Sequence, residues 1–128
     1  SAQDGSIMGD KVSSRSTVSM KQSTVNGKAG DVVEVAIGWN QTIDIAGTQF
    51  SLAFDPESVD LIDAKTNGVI NTDDNVSYRN IENGLIHVSW NSYDPVSMAG
   101  NLMTFRFRLK QAYVNQPVLS LYNGMIHP

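Results

Sequence analysis

Four carboxylates crowd one corner of the chain, Asp55, Glu57, Asp60 and Asp63, and a second polar cluster runs Asn71-Thr72-Asp73-Asp74-Asn75. Paired acids can cleave a glycosidic bond, but only where two of them converge on a cleft. Here Asp55 directly precedes Pro56, so its side chain is expected to form an Asx-type turn, and the other three acids read as turn-forming and solubilising charge. Two adjacent aspartates flanked by asparagines can ligate calcium. The twelve-residue loop with spaced acids and a closing glutamate is missing, however, so a solvated turn explains Asp73 and Asp74 better and calcium there stays an open alternative. No metal and no cofactor is assigned.

Other catalytic chemistry finds little footing. The chain has no cysteine, no Gly-x-Ser-x-Gly and no phosphate loop, and its two histidines, His87 and His127, are forty residues apart without the spacing of a metal pair. A lone histidine such as His87 reads first as a solvated side chain on a strand, and His127 belongs to a tail that looks disordered. The chain is not expected to be an enzyme. Asn40-Gln41-Thr42 and Asn75-Val76-Ser77 fit the glycosylation acceptor pattern, which is common by chance and counts only in a secretory host.

Composition narrows the partners. Nine Lys and Arg against thirteen Asp and Glu give a formal charge of −4 over 128 residues, with no basic run. Nucleic acid and anionic membranes are therefore unexpected partners. No apolar run approaches the roughly 20 residues of a membrane span, so no membrane insertion is expected, and no signal peptide is read in this stretch. Residues 1–15, rich in Ser, Gly and Asp, read as a flexible leader or remnant, and 16–128 as one domain large enough to bury a proper core.

The elements that would position any site are short and alternate with period two. In Ile45 to Glu57 the bulky Ala46, Thr48, Phe50, Leu52 and Phe54 alternate with the small or polar Gly47, Gln49, Ser51 and Ala53, until Asp55-Pro56 stops the strand. Val33, Val35, Ile37 and Trp39 form a second apolar row. Ile86, Val88 and Trp90 form a third, with Leu85, His87, Ser89 and Asn91 on its other side, and Met103, Phe105, Phe107 and Leu109 form a fourth. Further strands are expected at 17–22, 59–64, 76–79 and 118–122, with Glu82-Asn83-Gly84 closing a hairpin and 93–100 an irregular crossover. Eight or nine strands without a helical segment predict an all-β sandwich with Trp39, Phe50, Phe54, Tyr78, Trp90, Phe105 and Phe107 turned inward.

The runs Gly-Lys-Ala-Gly-Asp-Val-Val-Glu-Val-Ala-Ile (27–37), Ile-Ala-Gly-Thr-Gln-Phe-Ser-Leu-Ala-Phe-Asp-Pro-Glu (45–57), Asn-Val-Ser-Tyr (75–78) and Leu-Met-Thr-Phe-Arg-Phe-Arg-Leu-Lys (102–110) resemble the cohesin domain family. The resemblance covers about Thr17 to Tyr122. It implies a nine-stranded jelly-roll β-sandwich that is related in fold to carbohydrate-binding modules. It also implies a secreted or cell-surface bacterial multimodular protein that binds a dockerin-type module in trans. The partner face of the family is the sheet of strands 8, 3, 6 and 5. By resemblance this places Gly47, Gln49, Ser51, Ala53, Arg79, Leu85, His87, Ser89, Asn91, Leu102, Thr104 and Arg106 on one surface. The family's best-known recognition pair, an asparagine and an aspartate two apart, falls on Gly47 and Gln49, which is compatible with a different dockerin class or a different partner.

Small residues at the centre of that surface, apolar ones at Leu85, Ile81 and Leu102, and basic groups at Arg79 and Arg106, with His87 as a further candidate, would suit an acidic or polar helical partner. The alternative is a carbohydrate-binding or spacer module. Sugar-binding sandwiches expose coplanar aromatics, and only Tyr93, Tyr113 and Tyr122 are candidates here.

Overall fold

The computed structural model describes residues 20–66, 76–77, 81–98 and 101–127, with backbone alone for 76–77, 81, 92–93, 98 and 122–127. The expected leader 1–15, the acidic cluster 71–75, Tyr78 and Arg79 lie outside these residues. Ten strands follow one another: β1 (Met20–Gln22), β2 (Val25–Gly27), β3 (Val32–Trp39), β4 (Ile43–Ala53), β5 (Val59–Thr66), β6 (Val76–Ser77), β7 (Leu85–Met98), β8 (Asn101–Leu109), β9 (Tyr113–Gln116) and β10 (Ser120–His127). A 3-10 turn, Ile81–Asn83, precedes β7.

Two four-stranded sheets, ordered β1-β3-β8-β5 and β10-β4-β7-β6, enclose the core, and β2 pairs with β9 apart from them. All the pairings are antiparallel. The two inner faces meet because period-two alternation gives each strand one apolar side that has to leave water. Val35, Ile37, Trp39, Met103, Phe105, Phe107 and Leu109 come from one sheet, and Ile45, Phe50, Leu52, Ile86, Val88, Trp90 and Leu121 from the other; all are buried. Phe54, just past β4, meets Phe107 of β8 edge to face, with ring centroids 5.2 Å apart. The expected inward aromatics are thus buried wherever they are described.

Bulges then decide details that alternation cannot. Opposite Ile37 and Gly38 of β3, strand β8 presents Met103 and Asn101, so Leu102 is an extra residue and is buried beside Met103. In β5, Ile62 is the extra residue between Leu61, opposite Phe107, and Asp63, opposite Arg106. Strand β7 does not stop at Asn91. It bulges through 92–95, takes up pairing again at Val96 opposite Ile45 and runs to Met98, so the expected crossover is largely strand. The same irregularity makes Ile45, and not Ala46, the buried residue at the start of the β4 row.

Turns obey their chemistry. Asp55 accepts from the Glu57 amide at 2.9 Å and from the Ser58 hydroxyl at 2.8 Å, the Asx turn expected before Pro56. The Glu57 amide, with help from Ser58, holds the Asp55 carboxyl below the ordinary aspartate value. Gly84, with φ of 76°, extends the β4–β7 ladder by accepting from the Phe54 amide at 2.9 Å; a Cβ there would stand 1.9 Å from the Phe54 carbonyl oxygen. The segment before β10 is fastened to β1 by the Gln22 side-chain amide. That amide donates to the Leu119 carbonyl and accepts from the Leu119 N–H at 3.0 Å, imitating one rung of a ladder.

Candidate functional site

The outer face of the β10-β4-β7-β6 sheet gathers most of the residues expected to bind a partner. Because the inward positions of β4 are Thr48, Phe50 and Leu52, Gln49, Ser51 and Ala53 must turn outward; each is half-buried. On β7, inward Ile86, Val88 and Trp90 leave Leu85, His87 and Ser89 half-buried on the outside and Asn91 exposed. The register sets them in rows across the sheet: Ala53 beside Leu85, Ser51 beside His87, Gln49 beside Ser89, and Gly47 beside Asn91. The Ser51 hydroxyl lies 3.3 Å from Nδ1 of His87 and joins the two central strands.

The rows extend onto β10, which runs past the expected end at Tyr122 to His127. Ser120 stands in register with Ala53, Tyr122 with Ser51, Met125 with Gln49 and His127 with Gly47. His127 therefore belongs to a paired strand and not to a loose tail. The strand was hard to see because Asn123-Gly124, ordinarily a turn signal, is here a bulge that interrupts the alternation. On the other flank Ser77 of β6 registers with His87.

Leu102, Thr104 and Arg106 do not join this surface. They belong to β8, in the middle of the opposite sheet, so the surface expected from 47–53, 77–91 and 102–106 together is not one face. Leu102 is turned into the core by its bulge. Arg106 faces outward on the far side of the molecule, where Nε donates to Asp63 Oδ1 at 2.8 Å and Nη2 to Oδ2 at 2.6 Å. This bidentate pair holds the Asp63 carboxyl below the ordinary value and raises the guanidinium above its own. Arg106 therefore adds no cation to the surface expected to suit an acidic partner, and Arg79 lies outside the described residues.

The two outer faces differ in charge. Around Arg106 stand Glu34, Asp63, Arg108, Asp60 and Lys65, with the Lys110 ammonium 3.2 Å from Asp60. By contrast, residues 45–54, 85–93 and 117–128, which contain most of β4, the first half of β7 and all of β10, include no Lys, Arg, Asp or Glu. Nothing on the described face resembles a reaction centre. Among the described residues no three of His, Cys, Asp and Glu come together as a metal site would require. Tyr113 is half-buried and packs against the core, and every other described aromatic side chain is buried, so the described side chains build no stacking platform for sugars.

Comparison with known proteins agrees with this architecture. The family model described as Cohesin domain matches residues 18–123. No curated protein matches the chain. Among solved structures, the chain is similar to the complex of a type I cohesin with a dockerin from Clostridium thermocellum, at 12% identity and TM-score 0.64, over 88% of this chain and 100% of that one. It is also similar to the sixth cohesin of scaffoldin B from Acetivibrio cellulolyticus, solved with a Cel5 dockerin, at 16% identity and TM-score 0.63, over 84% and 95%. A non-cellulosomal cohesin from the archaeon Archaeoglobus fulgidus matches at 11% identity and TM-score 0.59, over 87% and 91%. At such identities the likeness to these structures is one of fold.

Proposed function

The chain belongs to the cohesin domain family, and on that footing we propose that it is a non-catalytic recognition module that captures a dockerin-type partner on the outer face of β10, β4 and β7. The module acts outside the cell, as one part of a larger assembly in which partners of this type carry enzymes. The observation that carries the reading is the contrast between the two faces. One sheet commits its outer surface to ion pairs with itself, while the other presents a surface of Gln49, Ser51, Ala53, Leu85, His87 and Ser89 that has no formal charge. Removing such a surface from water costs little, because no ion has to lose its hydration, and that is what the centre of a protein interface requires. Solved relatives of the same fold were captured with dockerins.

Gly47 and Gln49 give this face its own specificity. A glycine adds no side-chain hydrogen bond, and a neutral amide cannot supply the charge-assisted bond of an aspartate. The partner is therefore a dockerin of a class that does not depend on that pair. Purified dockerin modules encoded in the same genome, titrated against the chain with calcium present, test the reading. Binding by at least one, with loss on Ser89→Arg, supports it; binding to a glycan array with no dockerin bound would replace it with a sugar-binding module.

A further inference from the structure

Both histidines of the chain fall on the sheet read above as the docking face, His87 in β7 and His127 in β10. His87 is half-buried, and the described residues that surround it carry no charge; Arg79, two residues beyond Ser77, lies outside the described residues. Ser51 lies 3.3 Å away on β4 with Gln49 and Ala53 to either side, Leu85 and Ser89 flank it on its own strand, and Ser77 of β6 shares its row. His127 registers with Gly47, itself opposite Asn91. The ionisable groups next along β7 are the exposed Glu82, in the turn before it, and the exposed Asp94, in its bulge. Among the described residues across the middle of the face, histidine is thus the one type able to acquire a charge near physiological pH.

Resting on the recognition reading, we propose that the partner surface seated over Ser51 and His87 is itself uncharged, and that capture holds at neutral pH and is released in acid. A carboxylate or ammonium brought onto this face would give up its water with no opposite charge among the described residues to replace it. A neutral imidazole can be covered at little cost, sharing a hydrogen with the Ser51 hydroxyl or with the partner. An imidazolium covered by an uncharged partner loses its solvation without compensation. The bound state therefore holds fewer protons than the free state, and affinity falls as pH drops through the range in which histidines titrate, about 8 to 5. An acidic partner would give the opposite sign, because protonated histidine would then gain a counter-charge.

The test uses the dockerin module selected in the titration above. At about pH 7.5 its Kd should change by about threefold or less between roughly 50 and 500 mM NaCl, because no charged pair spans the contact. At about pH 5 it should weaken by about tenfold or more. In His87→Gln the ratio of the two Kd values should fall toward unity, whatever the variant's affinity; a pH effect residing in the partner would persist in that variant. A loss of more than about tenfold with salt, tighter binding in acid, or an unchanged pH ratio in His87→Gln would each overturn the proposal. If no dockerin module binds at all, the recognition reading fails and takes this inference with it.

Discussion

Asp63 grips the guanidinium of Arg106 with both carboxylate oxygens across 43 residues of sequence, at 2.8 and 2.6 Å. The pair exists because Ile62 is an extra residue in β5: without that bulge Asp63 would stand opposite Phe105 and point into the core. Both residues lie on the sheet away from the proposed docking face. The pair's side chains are 40% and 41% exposed, so it organises the surface more than it stabilises the fold.

The pair makes stability depend on pH in a definite sense. Asp63 and Asp55 both have folded-state values below the ordinary 3.8, so their contribution is complete above that pH and is lost as pH falls through the lowered values. Thermal unfolding between about pH 5 and 2 should show a steeper acid limb for the wild-type chain than for Asp63→Asn or Asp55→Asn. At neutral pH the Asp63→Asn loss should be slight.

The docking face should tolerate charge in folding but not in binding. Gln49→Lys and Ser89→Arg place an ion at the centre of the β4–β7 rows, where the side chains remain accessible to water in the free module. Melting temperature should stay near wild type, while dockerin capture weakens on the order of a hundredfold. Lys65→Glu, on the opposite sheet, should leave capture intact.

Gly84 should resist any side chain. Gly84→Ala combines a φ of 76° with a Cβ placed 1.9 Å from the Phe54 carbonyl oxygen, so the β4–β7 junction must open to admit it. A loss of about 2 kcal/mol or more is expected, readable as a drop of roughly 6–10 °C in melting temperature. An unchanged melting temperature would show that the turn has another conformation open to it.

Gln22 should act on the docking face without touching it. Gln22→Ala removes both hydrogen bonds that hold Leu119, the residue that leads into β10. A cost of about 1–3 kcal/mol is expected from the two bonds. Amide exchange should speed up first in β10, and capture should weaken with it because β10 forms one margin of the face.

The sandwich was legible because β3, β4, the first half of β7 and β8 each alternate cleanly, and a buried row has to be apolar for whatever reason the strand forms. Alternation turns Gln49, Ser51, His87 and Ser89 away from the core, and there they stand, in register on neighbouring strands. Leu102 was misplaced by a one-residue bulge, which reverses every parity argument beyond it and leaves no mark in the alternation itself. Thr104 and Arg106 fall on the other sheet because the resemblance equates 102–106 with the family's strand 8, and alternation, which says which side of a strand faces the core but not which strands are neighbours, offers no check on that match. The β2–β9 pair was invisible: three and four residues are too few to show a period, and its support comes from distant groups, such as the Asn26 side chain accepting from the Asn115 amide at 2.8 Å.

Strand β5, which carries Ile62, is also the border of its sheet. A regular border strand is an open template on which another chain can add its own backbone. The extra residue breaks the even spacing of free amides and carbonyls, and Asp60, Asp63 and Lys65 put charge beside the break. The device that seats one carboxylate opposite one guanidinium thereby also blunts the open border of its sheet.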